Sequence, residues 1–131
     1  MKNLYTLTAV IEVGTGLALM ALPSLLAKLL LGSLLDTPAA LTVGRVAGAA
    51  LLALGVACWL SRLDGQSRAA TGLVAAMLLY DLAVVAILAS IGIGSGPVGV
   101  ALWPVVVLHG AMAVWCITCL RSKRVNVDNE K

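Results

Sequence analysis

Four residues of this chain have chemistry to offer from unusual places: Glu12, Arg45, Asp81 and His109. Each stands near the middle of its own apolar stretch. Asp81, for example, interrupts "MLLYDLAVV". A charge at the centre of a membrane helix costs about 2.5–3.5 kcal/mol. Such groups therefore face a bundle interior or a watery cavity, where they find partners. Two carboxyl groups, a guanidinium and an imidazole can neutralise one another, hold a ligand head group or pass protons. Asp81 is tolerable where Arg45 or His109 neutralises it, or where it carries a proton.

Neighbouring polar residues extend the pattern. Tyr5, Thr8, Glu12 and Thr15 follow one another at spacings of three, four and three residues, so they share one helix face. Thr42 lies one turn from Arg45, and Tyr80 adjoins Asp81. The small residues Gly72, Ala76 and Ala83 fall nearly opposite Asp81 and suit packing on a second face. The candidate site is therefore Thr8, Glu12, Arg45, Tyr80, Asp81 and His109, a buried polar cluster for a ligand or for protons. We expect Arg45 to reach down the bundle to a carboxylate. The competing expectation has Arg45 snorkelling outward and Glu12 protonated. The same cluster has a structural use, because polar groups glue membrane helices together at about 0.6–2 kcal/mol each.

The elements that must position these residues follow from composition. Of 131 residues, 61% are hydrophobic and 11% are charged, against about 25% charged in soluble domains. Apolar stretches at about 4–22, 38–60, 69–93 and 98–120 are each long enough to cross a bilayer, which takes about 20 residues. They predict an all-α integral membrane bundle of four transmembrane helices in a single domain, residues 1–131, with a polar cytoplasmic tail over 121–131. No internal repeat and no low-complexity linker is visible. Lys2 and the following apolar run mimic a signal peptide, but Glu12 breaks the run, and cleavage is not expected.

Between spans 1 and 2, "LPSLLAKLLLGSLLDTPAAL" predicts a short amphipathic helix in the interface. Pro23 ends span 1, Ser24 caps the helix, and leucines recur at helical spacing around Lys28. Thr37-Pro38 is an N-cap followed by proline at N1, a start signal for span 2. Gly44-x-x-x-Gly48 with Gly55 is a small-residue packing face, within one chain or between two. Lys2, Arg62, Arg68, Arg121, Lys123 and Arg124 fall on one side and Lys28 on the other. Both termini are therefore expected in the cytoplasm, with the bundle in the cell (inner) membrane. Tyr5, Trp59 and Trp103 fit interfacial belts, and Trp115 lies deeper. The net charge of +3 is then a topology signal and gives no reason to invoke nucleic acid.

Soft ligands give weaker signals. Cys58, Cys116 and Cys119 lie toward the cytoplasmic ends of spans 2 and 4, a reducing side where disulfides are not expected. Cys116 and Cys119 form a C-x-x-C on a helix, a minor candidate for redox thiols. Met112, Cys116 and Cys119 suit Cu(I) by softness, but such side chains are also ordinary apolar filler. No metal is expected. The glycines of "SIGIGSGPVGV" lack the lysine and strand of a phosphate loop and predict a turn.

Two resemblances bear on identity. "GRVAGAALLALGVACWL", preceded by "GTGLALMALPSLLAKLLLG", resembles the pattern of DoxX-like small four-helix membrane proteins. That resemblance implies a four-helix bundle, and some such proteins are associated with thiol-linked or redox membrane complexes. "AVIEVGTGLALM" is similar to the first helix of small multidrug resistance transporters. There a membrane glutamate exchanges protons for a cationic drug, and Glu12 would take its place.

The leading expectation is a non-enzymatic membrane protein, a self-associating bundle or a small subunit of a larger complex, whose polar interior binds a lipid or quinone-like head group. The alternative is a proton-coupled transporter using Glu12 and Asp81. A thiol or quinone redox protein comes third. Cofactors are left open. The partners expected are the lipid bilayer and further protein copies or subunits.

Overall fold

The computed structural model describes residues 1–64, 67–94 and 98–128. Five helices account for nearly all of them: α1 (Lys2–Ala21), α2 (Pro23–Leu31), α3 (Pro38–Ser61), α4 (Arg68–Gly94) and α5 (Leu102–Asp128). No strand occurs among the described residues. Four helices are long and apolar enough to cross a membrane: α1, α3, α4 and the Leu102–Ser122 part of α5. They coincide with the four apolar stretches. The last begins at Leu102 rather than at residue 98, because Val98–Ala101 is spent on a connection to α2.

Local chemistry sets the boundaries. Pro23 separates α1 from α2 and occupies the first turn of α2, where its missing N–H costs nothing. The Leu22 N–H closes α1 onto the Ala18 carbonyl at 2.7 Å. Ser24 does not cap α2; its hydroxyl donates to the Leu35 carbonyl at 3.0 Å and holds the following loop. Gly32 ends α2 with φ 77°, a left-handed conformation that glycine adopts freely. Thr37 caps α3 as expected, its Oγ1 accepting from the Ala40 N–H at 3.1 Å. Ser67 does the same for α4, accepting from the Ala70 N–H at 3.0 Å while donating to Asp64 Oδ2 at 2.6 Å.

Helix backbones come close in two pairs, α1 with α3 and α4 with α5. The first pair depends on glycine. A Cβ on Gly16 would lie 2.7 Å from both the Gly48 carbonyl oxygen and the Leu52 nitrogen, and one on Gly55 would lie 2.9 Å from the Val13 nitrogen. The face carrying Gly48 and Gly55 thus joins α3 to α1 within one chain. Gly44 sits on the edge of this surface against Pro23 and Leu35.

Two clamps tie the pairs together at opposite ends. Near the start of α1 the Tyr5 hydroxyl donates to the Ala70 carbonyl of α4. At the other end, the Gly99 and Ala101 N–H groups donate to the Leu30 and Leu29 carbonyls at 3.1 and 2.9 Å. These carbonyls belong to the last turn of α2 and have no partner in their own helix. The apolar core lies beside the Tyr5 clamp: Leu4, Tyr5, Ala9, Cys58, Ala70, Val74, Met77, Met112 and Cys116. Elsewhere the helices present leucine and valine outward, including Val43, Val46, Leu60, Leu79 and Val107. That distribution suits an apolar solvent rather than water.

An interior cleft of acids and imidazole

Between the two helix pairs lies a cleft lined by Thr8, Ile11 and Glu12 of α1, Leu54 of α3, Met77, Tyr80 and Asp81 of α4, and Leu108, His109 and Met112 of α5. Its void measures about 290 Å³, including an open mouth. The enclosed part takes roughly one water-sized group. That enclosed space is far below the roughly 300–1,000 Å³ of drug-sized pockets.

Helix periodicity brings its polar groups together. Thr8 and Glu12 are one turn apart on the buried face of α1. Asp81 lies one turn beyond Met77 on the buried face of α4. His109 and Met112 share a face of α5 by the same rule. The His109 Nδ1 sits 2.7 Å from Asp81 Oδ1. That separation is at the short end for N–H···O bonds and matches charge-assisted pairs. The Tyr80 ring meets the His109 ring edge-on, with centroids 5.5 Å apart and planes at 80°. Such T-shaped packing fixes the imidazole plane. Glu12 lines the same cleft as both members of the pair. It has no hydrogen bond or ion pair among the described residues, although only 4% of it is exposed. Thr8 Oγ1 is fully enclosed and has no partner either.

Five of the six residues expected at the site therefore line one cleft: Thr8, Glu12, Tyr80, Asp81 and His109. Arg45 does not. It is exposed and forms no ion pair among the described residues, so the expected Arg45–carboxylate contact is absent. The reason is rotational. Gly48, Gly55 and Cys58 are the face that α3 buries, and Leu54 is what it presents to the cleft. Arg45 precedes Leu54 by nine positions, about half a turn out of phase at 3.6 residues per turn. Thr42, on the same exposed side, satisfies its hydroxyl on the Pro38 carbonyl at 2.8 Å. Thr15 is exposed too, so the polar face of α1 ends at Glu12. Gly72, Ala76 and Ala83 point outward as a second face of α4.

Met77, Met112, Ile11, Leu54 and Leu108 were not anticipated as lining residues. The first two were legible in retrospect as the i±4 and i±3 neighbours of Asp81 and His109. No cysteine lines the cleft. Cys58 and Cys116 are fully buried in the core, and the Cys58 thiol lies 3.6 Å from Met77 Sδ. Cys119 is half-buried, and all three thiols are free. No cluster of three histidine, cysteine or acidic ligands exists among the described residues.

The arrangement can accept, hold and return protons. An imidazole with one nitrogen on a carboxylate leaves its other nitrogen free, and a second carboxyl group without a partner stands opposite. Comparison with family models, curated proteins and solved structures finds no match.

Proposed function

We propose that the chain is an integral membrane protein whose interior cleft exchanges protons, coupling their movement to the passage of a small polar solute. In this reading Glu12 is the exchanging carboxyl group, and the Asp81–His109 pair is its fixed counterpart. The observation that carries the proposal is the meeting of an unpartnered buried carboxyl group with a hydrogen-bonded acid–imidazole pair in one apolar-walled cleft. Ionisable groups inside membrane helices commonly mark proton relays and solute pathways. The small enclosed space favours a water-sized group over the ring of a quinone-like ligand. A lipid or quinone head group would reach the site only from its mouth.

The bilayer in question is the cell (inner) membrane, with both termini cytoplasmic, as the Lys and Arg distribution supports. In that orientation α2 lies in the outer interface. Kinship with DoxX-like four-helix proteins, or with small multidrug resistance transporters through α1, belongs to the same proposal.

A second reading has its own observation. The exposed Arg45 in the body of α3 suits a bundle that meets a further subunit or another copy of itself, whose carboxylate would neutralise the guanidinium.

The test is reconstitution into liposomes. Electrogenic currents or interior pH are recorded on adding a panel of small polar and cationic solutes under an imposed proton gradient. Wild type is expected to show solute-dependent proton flux. Glu12→Gln is expected to abolish it while the folded protein remains. A silent wild type, with Glu12→Gln lowering only thermal stability in detergent, would assign the cleft to helix adhesion instead.

A further inference from the structure

Threonines in these helices usually return their hydroxyl to the backbone. Thr6 donates to the Lys2 carbonyl at 3.0 Å, Thr42 to Pro38 at 2.8 Å and Thr71 to Ser67 at 3.0 Å, each four residues earlier. That bond is the default for a helical threonine in apolar surroundings, because it leaves no polar atom bare. Thr8 departs from it. Its Oγ1 is buried and makes no hydrogen bond among the described residues, and Thr8 lines the cleft that also holds Glu12, Asp81 and His109. Leaving a buried hydroxyl unpaired costs about 1–3 kcal/mol, while Glu12 one turn away also lacks a partner. Thr8 and Glu12 thus bring two polar groups without protein partners, one helix turn apart, to a water-sized space.

We infer that Thr8 and Glu12 hold a buried water molecule that links Glu12 to the Asp81–His109 pair, and that protons pass between the two acids through it. The inference rests on the proton-exchange reading and adds its route. The step balances without any other reactant. The Glu12 carboxyl gives its proton to the water oxygen. The same water releases one of its own protons to the free Oδ2 of Asp81, whose Oδ1 is occupied by His109. The reverse transfer resets the site. Thr8 is a positioning residue here; it fixes the water and exchanges no proton with bulk. The groups facing this water are Glu12 from α1, Tyr80 and Asp81 from α4 and His109 from α5, while α3 contributes only Leu54.

The experiment is infrared difference spectroscopy of the protein in lipid nanodiscs after a pH jump, in ordinary and oxygen-18 water. The variants are Thr8→Val, which removes the hydroxyl at nearly constant shape, and Thr8→Ser, which restores it. Tryptophan fluorescence checks folding. Wild type should show an enclosed-water O–H band that shifts with oxygen-18. Thr8→Val should lose that band and slow relaxation of the Glu12 carboxyl band about tenfold, the order set by one lost hydrogen bond. Thr8→Ser should recover both. A wild type without the band, or a Thr8→Val that keeps band and rate, overturns the inference. If band and rate behave as expected but liposomes show no solute-dependent flux, the transport reading fails and the water route stands.

Discussion

The Asp81–His109 bond should behave as one energetic unit, and a double-mutant cycle measures whether it does. The perturbations are Asp81→Asn, His109→Gln and the two combined. Both side chains are nearly enclosed, at 6% and 11% exposure, and their polar atoms are 2.7 Å apart. At an effective dielectric constant of about 20, opposite unit charges at that distance attract by about 6 kcal/mol before desolvation is subtracted. Desolvation removes most of this, and pairs in direct contact couple by about 0.5–3 kcal/mol. Neutral hydrogen bonds between membrane helices average about 0.6 kcal/mol. The short, enclosed geometry places the expected coupling near 2 kcal/mol. The assay is reversible unfolding in mixed detergent micelles by increasing sodium dodecyl sulfate, followed by the fluorescence of Trp59, Trp103 and Trp115. Each single variant should then cost nearly as much as the double. A coupling below about 0.5 kcal/mol, with additive single costs, would refute the claim that the two residues act together.

The glycine crossing of α1 and α3 gives a second expectation. Gly48→Ala places a methyl group 2.7 Å from the Gly16 carbonyl oxygen and should cost about 1–3 kcal/mol in the same unfolding assay. Gly72→Ala, with nothing within 4 Å, should cost nothing and should stabilise by up to about 1 kcal/mol through helix propensity. Arg45→Ala should leave the unfolding free energy of the isolated protein within about 0.5 kcal/mol, because the guanidinium has no ion-pair partner among the described residues. A loss of more than about 2 kcal/mol would place Arg45 back inside the bundle.

Much of the fold was legible because its signals are local. Twenty apolar residues in a row need no tertiary information to be read as a long helix, and Thr37-Pro38 starts α3 by geometry alone. Periodicity along single helices also predicted that Thr8 and Glu12 share a face. Rotation of one helix against another is different, because it depends on which backbones approach. Arg45 was expected inside on the cost of burying or exposing a charge. The decisive information was that Gly16, Gly48 and Gly55 allow α1 and α3 backbones into contact, which points Leu54 at the cleft and Arg45 away from it. A glycine spacing announces a close crossing but not its partner, so the sequence left open whether one chain or two would use it. The clamp from Gly99 and Ala101 to α2 was invisible for a related reason: backbone hydrogen bonds between distant segments leave no mark on residue type.

The placement of the polar cleft follows from how the two helix pairs are joined. Within each pair backbones lie close, and apolar or glycine contacts suffice. Between the pairs, hydrogen-bonded clamps act at the two ends, Tyr5 on Ala70 at one and Gly99 and Ala101 on α2 at the other. The middle is spanned by side chains, and there the chain puts Glu12 opposite Asp81 and His109. For adhesion alone the Asp81–His109 bond would serve; Glu12 and Thr8 add polar groups that no protein atom among the described residues satisfies. Both groups lie in the cleft between the pairs, with Asp81 and His109. The proposed proton exchange gives a use to that second acid, which adhesion between the helices does not need once Asp81 and His109 are bonded.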